Sequence, residues 1–106
     1  MFDYDLTEAQ MIIKESDPNL LEFDGHIFKN WFERDYTHEY VAECLFSKTP
    51  LGIVKTMENR FKLIYPHNKN DNLDLYIIIE IDDYKNIKVV TAYTFNKKRR
   101  ERLKER

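Results

Sequence analysis

Apolar and polar residues follow different spacings in the two halves of the chain. In residues 6–49 the apolar positions gather on one side of successive helical turns, which predicts amphipathic helices. In residues 51–95 they alternate with polar residues or form short continuous runs, which predicts β-strands. The predicted helices are 6–15, 17–23, 26–36 and 37–49, and the predicted strands are 51–56, 60–66, 73–81 and 87–95.

Capping residues indicate where the helices begin. Thr7, with a glutamine three residues later, fits the capping box of a first helix. Asp17 precedes Pro18, a residue favoured at the first position of a helix. Thr37 fits the N-cap of a later helix, which Pro50 would end. The first half of the chain is therefore expected to be helical.

The links between the predicted strands are short, which favours an antiparallel meander. Helices followed by consecutive strands predict an α+β fold. We expect the N-terminal helices to pack on one face of a roughly four-stranded antiparallel sheet that ends in a short basic tail. A length of 106 residues suits one domain.

Charge is distributed unevenly along this chain of net charge −2. Residues 1–50 carry 11 acidic and 4 basic side chains, whereas residues 51–106 carry 8 acidic and 13 basic ones. Residues 97–106 alone carry 7 basic and 2 acidic side chains. A basic end of this kind favours a polyanion or an acidic partner surface. For residues 101–106, a solvated tail is the favoured alternative.

The chain lacks the sequence motifs of several kinds of catalytic and binding sites. The chain has no glycine-rich phosphate loop, no HExxH, no paired cysteines and no GxSxG. Its three histidines are too scattered to predict a metal site, and Cys44 is expected to fill the core. There is no apolar run of about 20 residues and no signal-like N-terminus. We therefore expect a soluble cytoplasmic protein without a metal ion or membrane contact.

One histidine and one arginine have a suggestive spacing. His26 precedes Arg34 by eight residues, just over two helical turns, which places both on roughly the same helix face. An imidazole titrates near neutral pH, and a guanidinium holds a fixed positive charge. The alternatives are a capping His26 and an Arg34 paired with a nearby acid. His38 is expected to be exposed, and His67 to lie at a strand end.

One face of the last strand carries the hydroxyl groups of Thr91 and Tyr93. Side chains alternate along a strand, so Thr91, Tyr93 and Phe95 share one face, and Val90, Ala92 and Thr94 share the other. The face that carries Thr91, Tyr93 and Phe95 could be directed at the helices or at an open cleft. Threonine and tyrosine are also good β-formers, so their presence alone does not require a function.

Taken together, three motifs are similar to a known family. They are His26, Arg34 with the segment 36–41, and "VVTAY" at 89–93. They resemble the DUF4258 group, within the barnase–EndoU–colicin–RelE superfamily of small ribonucleases, which includes toxins of the colicin D, RelE and BrnT kinds. The resemblance covers residues 26–100, with 1–25 as a helical extension and 101–106 as a basic tail.

This resemblance implies metal-independent cleavage of RNA without a cofactor, by attack of the 2′-OH on the adjacent phosphate. His26 would act as general acid or base, and Arg34 would hold the phosphate and stabilise its growing charge. Thr91 and Tyr93 would donate hydrogen bonds to phosphate oxygens. The residues expected to contact the RNA backbone are Arg60, Lys62, Lys97, Lys98, Arg99 and Arg100.

The resemblance also implies partners for the protein. Two other functions remain as alternatives to the ribonuclease. The protein would be a small endoribonuclease that could serve as the toxin of a toxin–antitoxin pair, with RNA and an antitoxin as partners. The first alternative is a non-enzymatic module that binds nucleic acid. The second is an inactive family member that acts in protein–protein interaction. An edge strand at 51–56 could pair with an antitoxin strand or with a second copy in a homodimer.

Overall fold

The computed structural model of the protein describes residues 3–25 and 37–98, in which two α-helices pack on one face of a five-stranded sheet. The α+β class is therefore confirmed. The helices are α1 (Leu6–Glu15) and α2 (His38–Ser47), with a short 3-10 helix between them at Pro18–Leu20. The strands are β1 (Glu22–Phe23), β2 (Gly52–Met57), β3 (Arg60–Pro66), β4 (Leu73–Ile81) and β5 (Ile87–Asn96).

Side-chain caps fix the starts of both α-helices. The Asp5 carboxylate accepts from the Glu8 backbone N–H at 2.7 Å, and the Glu8 carboxylate accepts from the Asp5 N–H at 3.3 Å. This reciprocal pair is the capping box of α1, so the prediction of Thr7 as N-cap was wrong by two residues. The Thr37 hydroxyl accepts from the Tyr40 N–H at 3.1 Å, which confirms Thr37 as the cap of α2.

The segment after α1 differs from the helix predicted at 17–23. Asp17 caps only the short 3-10 helix, by accepting from the Asn19 N–H at 2.9 Å. The next residues form β1, which runs parallel to β5 with Phe23 opposite Val89. Leu21 and Phe23 both pack against the core, and this spacing of two suits a strand rather than a helix. The sheet thus gains a fifth, parallel strand.

The other four strands form the predicted meander. The sheet order is β1-β5-β4-β3-β2, and each pair from β2 to β5 is antiparallel. The β4–β5 hairpin is held by Asp82, whose carboxylate accepts from the N–H groups of Tyr84 at 2.8 Å and Asn86 at 2.9 Å. The turn requires Lys85 in the left-handed region, with a φ of 65°.

A β-bulge in β5 decides which of its side chains enter the core. Ile78 lies opposite Thr91, but Ile79 lies opposite Val89, so Val90 is an additional residue in the strand. As a result Val89 and Ala92 are both buried in the core, although three positions separate them. The sequence pattern predicted that Val90 and Ala92 share one face of the strand. In the structure, Val89 and Ala92 are the two residues that share the face toward the core.

The core lies between the sheet and the helices. We call the sheet side that packs on α1 and α2 the helix face, and the opposite side the second face. Cys44 is fully buried, as predicted. Burial raises the pKa of its thiol to about 11. The buried core residues of the helices are Ala9, Ile12, Ile13, Tyr40, Val41, Cys44 and Leu45, and those of the helix face are Phe61, Leu63, Tyr65, Leu75, Ile77, Ile79, Ile81, Ile87, Val89 and Ala92.

Candidate functional site

Strand pairing brings four of the predicted site residues onto the second face, namely Arg60, Lys62, Thr91 and Tyr93. Thr91 lies opposite Ile78, which in turn lies opposite Lys62. Tyr93 is two residues beyond Thr91 on the same strand, so the two side chains leave the sheet on the same side. Ala92, between them, is buried on the helix face. The side chains of Thr91 and Tyr93 therefore point away from α1 and α2.

Three aromatic rings form a cluster on this face. The ring centroids of Tyr76 and Tyr93 are 5.4 Å apart, and those of Tyr93 and Phe95 are 5.3 Å apart. Phe95 also meets Tyr76 edge to face at 5.6 Å. Such tilted contacts are favourable for aromatic pairs. Tyr76 is buried, whereas Tyr93 is partly exposed and Phe95 is exposed, so the cluster presents two rings to solvent.

The sequence pattern does not single out Tyr76. It lies in the nearly continuous apolar run of β4, where alternation does not show which residues face the helices. The antiparallel register, which places it directly opposite Tyr93, identifies its face.

The two cations of β3 have different neighbours on the second face. The Lys62 ammonium lies 5.8 Å from the centroid of the Tyr76 ring, a cation–π distance. The Arg60 guanidinium donates to the Glu80 carboxylate at 2.6 Å and 3.3 Å. An RNA phosphate would therefore have to displace Glu80 from Arg60, whereas Lys62 carries no carboxylate contact among the described residues.

The start of the basic segment is anchored beside the start of β4. The Lys97 N–H donates to the Asn72 carbonyl at 2.8 Å, and the Lys98 N–H donates to the Asn96 side chain at 2.9 Å. These bonds use the backbone N–H groups and not the ammonium groups. Because β5 leads directly into this segment, Lys97 and Lys98 follow the strand that carries Thr91 and Tyr93.

Four predicted site residues lie outside the described residues. They are His26, Arg34, Arg99 and Arg100. Their roles in proton transfer, phosphate binding and electrostatic attraction therefore stay predictions.

The two described histidines have structural contacts. The ring of His38 stacks on Phe23 with centroids 4.3 Å apart, so the expectation that it is exposed was wrong. Burial lowers the pKa of His38, and nearby Glu39 partly opposes that effect. His67 is buried at the end of β3, and its Nδ1 accepts from the N–H groups of Lys69 and Asn70 at 3.0 Å and 3.1 Å. A neutral His67 therefore carries its proton on Nε2 and holds the following loop in place.

Acidic side chains also belong to the second face and limit where an anion can bind. Glu80 lies opposite Arg60, and Asp74 lies opposite Phe95. Glu80 is neutralised by its ion pair, and Asp74 is 2% exposed. The part of the face that favours an anion is therefore bounded by Lys62, Thr91 and Tyr93.

The described residues contain no membrane-spanning helix and no cluster of metal ligands, and the chain has no match among known proteins. Neither α1 nor α2 has the length and apolar character of a membrane-spanning segment. In residues 3–25 and 37–98, no three His, Cys, Asp or Glu side chains gather as ligands for a metal ion would. No protein-family model matches the chain, and no curated protein or solved structure is significantly similar to it.

Proposed function

We propose that the protein binds RNA on the second face of its sheet and cleaves it as a small endoribonuclease that needs no metal ion. The observation that supports this most directly is the shared face of Thr91, Tyr93 and Lys62. In this proposal, the two hydroxyl donors and the cation bind the same phosphate group. Single-stranded RNA is commonly bound by such cations together with aromatic rings on a sheet.

Each of these groups has a distinct part in binding. The Lys62 ammonium attracts the backbone, and the hydroxyls of Thr91 and Tyr93 donate to non-bridging phosphate oxygens. The rings of Tyr93, partly exposed, and Phe95, exposed, offer surfaces on which bases can stack. Lys97 and Lys98 extend the positive charge along the strand that leads away from the site.

Cleavage in this proposal depends on His26 and Arg34. The ribose 2′-oxygen attacks the phosphorus and loses its proton to a base, while the bond from phosphorus to the 5′-oxygen breaks. The leaving 5′-oxygen takes a proton from an acid, and a 2′,3′-cyclic phosphate remains. His26 would transfer one of these protons, and Arg34 would stabilise the negative charge of the transition state.

The aromatic cluster favours a second candidate function, binding of nucleic acid without cleavage. Stacking on Tyr93 and Phe95 needs neither a general acid nor a general base. This candidate uses the same face and predicts the same dependence on Lys62. The two candidates differ only in whether bound RNA is cut.

A protein partner would have a separate place to bind. β2 is an edge strand in the described sheet, and its residues 54–57 are exposed. An exposed edge can pair with a strand from another chain. In the toxin proposal, that strand belongs to an antitoxin or to a second copy of this chain.

The decisive experiment incubates labelled single-stranded RNA with the purified protein in excess EDTA. We expect fragments with 2′,3′-cyclic ends from the wild type, and binding without cleavage from His26→Ala. Lys62→Gln should weaken binding about threefold and lower the salt slope of log K by about 0.7. Lys85→Gln, in the hairpin turn, is the matched control and should change neither quantity.

The other outcomes separate the rivals. Binding without cleavage by both the wild type and His26→Ala would replace the endoribonuclease with the non-enzymatic binder. Binding that does not weaken with salt, or is unaffected by Lys62→Gln, would contradict the RNA site on the second face. Growth arrest by the wild type but not by His26→Ala in an expressing cell would support the toxin proposal.

A further inference from the structure

We infer that a cleft between the helices and β2–β3 binds a small amphipathic anion, made of an aromatic or similarly apolar body with one carboxylate. This site lies on the helix side of the sheet and is independent of the RNA proposal. We call it the lysine cleft. Its lining residues are Gln10, Ile13, Lys14, Leu45, Lys48, Thr49, Pro50, Leu51, Gly52, Ile53, Leu63 and Tyr65.

Size and wall chemistry define the body of the ligand. The cleft has a volume of about 300 Å³, at the lower end of the range for small-molecule sites. Its walls include the buried side chains of Ile13, Leu45 and Leu63 and the partly exposed Ile53. A single ring with a short side chain fits this volume, whereas a peptide of several residues would exceed it.

Charge defines the other end of the ligand. Lys14 lies in the last turn of α1 and Lys48 directly after α2, and both are exposed at the cleft. The Lys48 ammonium lies 5.7 Å from the centroid of the Tyr40 ring. None of the described residues that line the cleft is acidic. In a chain with a net negative charge, two lysines without a lining acid favour an anion.

A second cleft of similar size has a different charge pattern and can be compared with the lysine cleft. It has a volume of about 250 Å³ and is lined partly by Glu15, Asp17 and Lys85. Acidic and basic groups there are mixed, so it has no comparable preference for an anion. The two clefts therefore serve as a test site and an internal control.

Tyr65 lines the lysine cleft and places a polar group in its wall. Its side chain is fully buried, and its hydroxyl has no hydrogen-bond partner among the described residues. Burial also raises the pKa of this hydroxyl, so it stays protonated and can donate. Buried polar groups are normally paired, and a polar substituent on a bound ligand would satisfy this one.

The experiment titrates 4-hydroxyphenylacetate into the ¹⁵N-labelled protein and follows its backbone amide signals by NMR. Tyramine is the matched probe, since it has the same hydroxylated ring with an ammonium in place of the carboxylate. We expect the carboxylate to shift the amides of Leu45, Thr49 and Ile53, with tyramine binding at least about tenfold more weakly. Phenylacetate, which lacks the ring hydroxyl, should bind about fivefold more weakly.

Variants assign the interaction to particular side chains. The double variant Lys14→Glu/Lys48→Glu should weaken 4-hydroxyphenylacetate binding at least about tenfold, and Lys85→Glu at the control cleft should not. Tyr65→Phe should remove the preference for 4-hydroxyphenylacetate over phenylacetate. Because both lysines are exposed, the double variant still tests the site if Tyr65→Phe fails to fold.

Three results would overturn the inference. The first is the absence of localised amide shifts with 4-hydroxyphenylacetate at about 10 mM. The second is equal affinity for tyramine, and the third is binding unchanged in the double lysine variant. RNA cleavage by that double variant should stay at the wild-type level, which keeps this test separate from the proposed function.

Discussion

The two faces of the sheet are made by the same strands but differ in what they contact. Ile77 and Ile78 are neighbours on β4, yet Ile77 is fully buried against the helices, whereas Ile78 is partly exposed. The helix face is almost entirely apolar, and the second face carries hydroxyls, rings and charges. Because side chains alternate along a strand, one segment can supply both stability and a binding surface. A substitution on one face can therefore change one property while leaving the other nearly intact.

The largest expected difference between the faces is in the reactivity of a thiol. Cys44 is fully buried among core residues, and its pKa is raised to about 11. A thiol at position 91, on the second face, would be partly exposed. At pH 8 we expect the single thiol of a Thr91→Cys/Cys44→Ala variant to react with a disulfide reagent roughly a thousandfold faster than native Cys44. The measurement is the rate of absorbance change on mixing.

A denatured sample provides the control, since both thiols should then react at similar rates. Comparable rates in the two native proteins would mean that the second face is as closed as the core. That result would remove the basis for a binding surface around Thr91.

Stability gives the next largest difference. Ile77→Ala removes fully buried methyl groups from the core and should lower the free energy of unfolding by about 3 kcal/mol. Ile78→Ala is the matched change one residue along and should cost about 1 kcal/mol, because its side chain is partly exposed. Urea denaturation followed by circular dichroism measures both. Equal losses would show that the two faces are equally packed.

Local sequence patterns predicted those features of the fold that depend on neighbouring residues. Alternation identified β3, where Phe61, Leu63 and Tyr65 are buried, and the Thr37 cap identified the start of α2. The parallel strand β1 is only two residues long, and its pairing partner is more than 60 residues away in the sequence. No local pattern encodes such a contact.

The positions of the candidate site residues were also only partly predictable from the sequence. A period of two placed Thr91 and Tyr93 together, but it could not say whether they face the helices or solvent. That choice depends on the bulge at Val90, which brings both Val89 and Ala92 into the core. The bulge arises from the pairing of β5 with β4 and is not visible in β5 alone.

The smallest expected effect concerns an ionisable group on the helix side, His38. Burial lowers the pKa of its imidazole below the ordinary 6.5, so the unfolded chain binds a proton more readily than the folded protein does. The contribution of a neutral His38 to stability is therefore complete above pH 6.5 and is lost as the pH falls toward its folded-state pKa. The effect is small because Glu39 opposes the shift and the ring is partly exposed.

His38→Phe keeps a ring against Phe23 but cannot take up a proton, so its free energy of unfolding should fall less than that of the wild type between pH 7.5 and pH 5. Identical losses in the two proteins, measured by urea denaturation at both pH values, would assign the pH dependence to other groups.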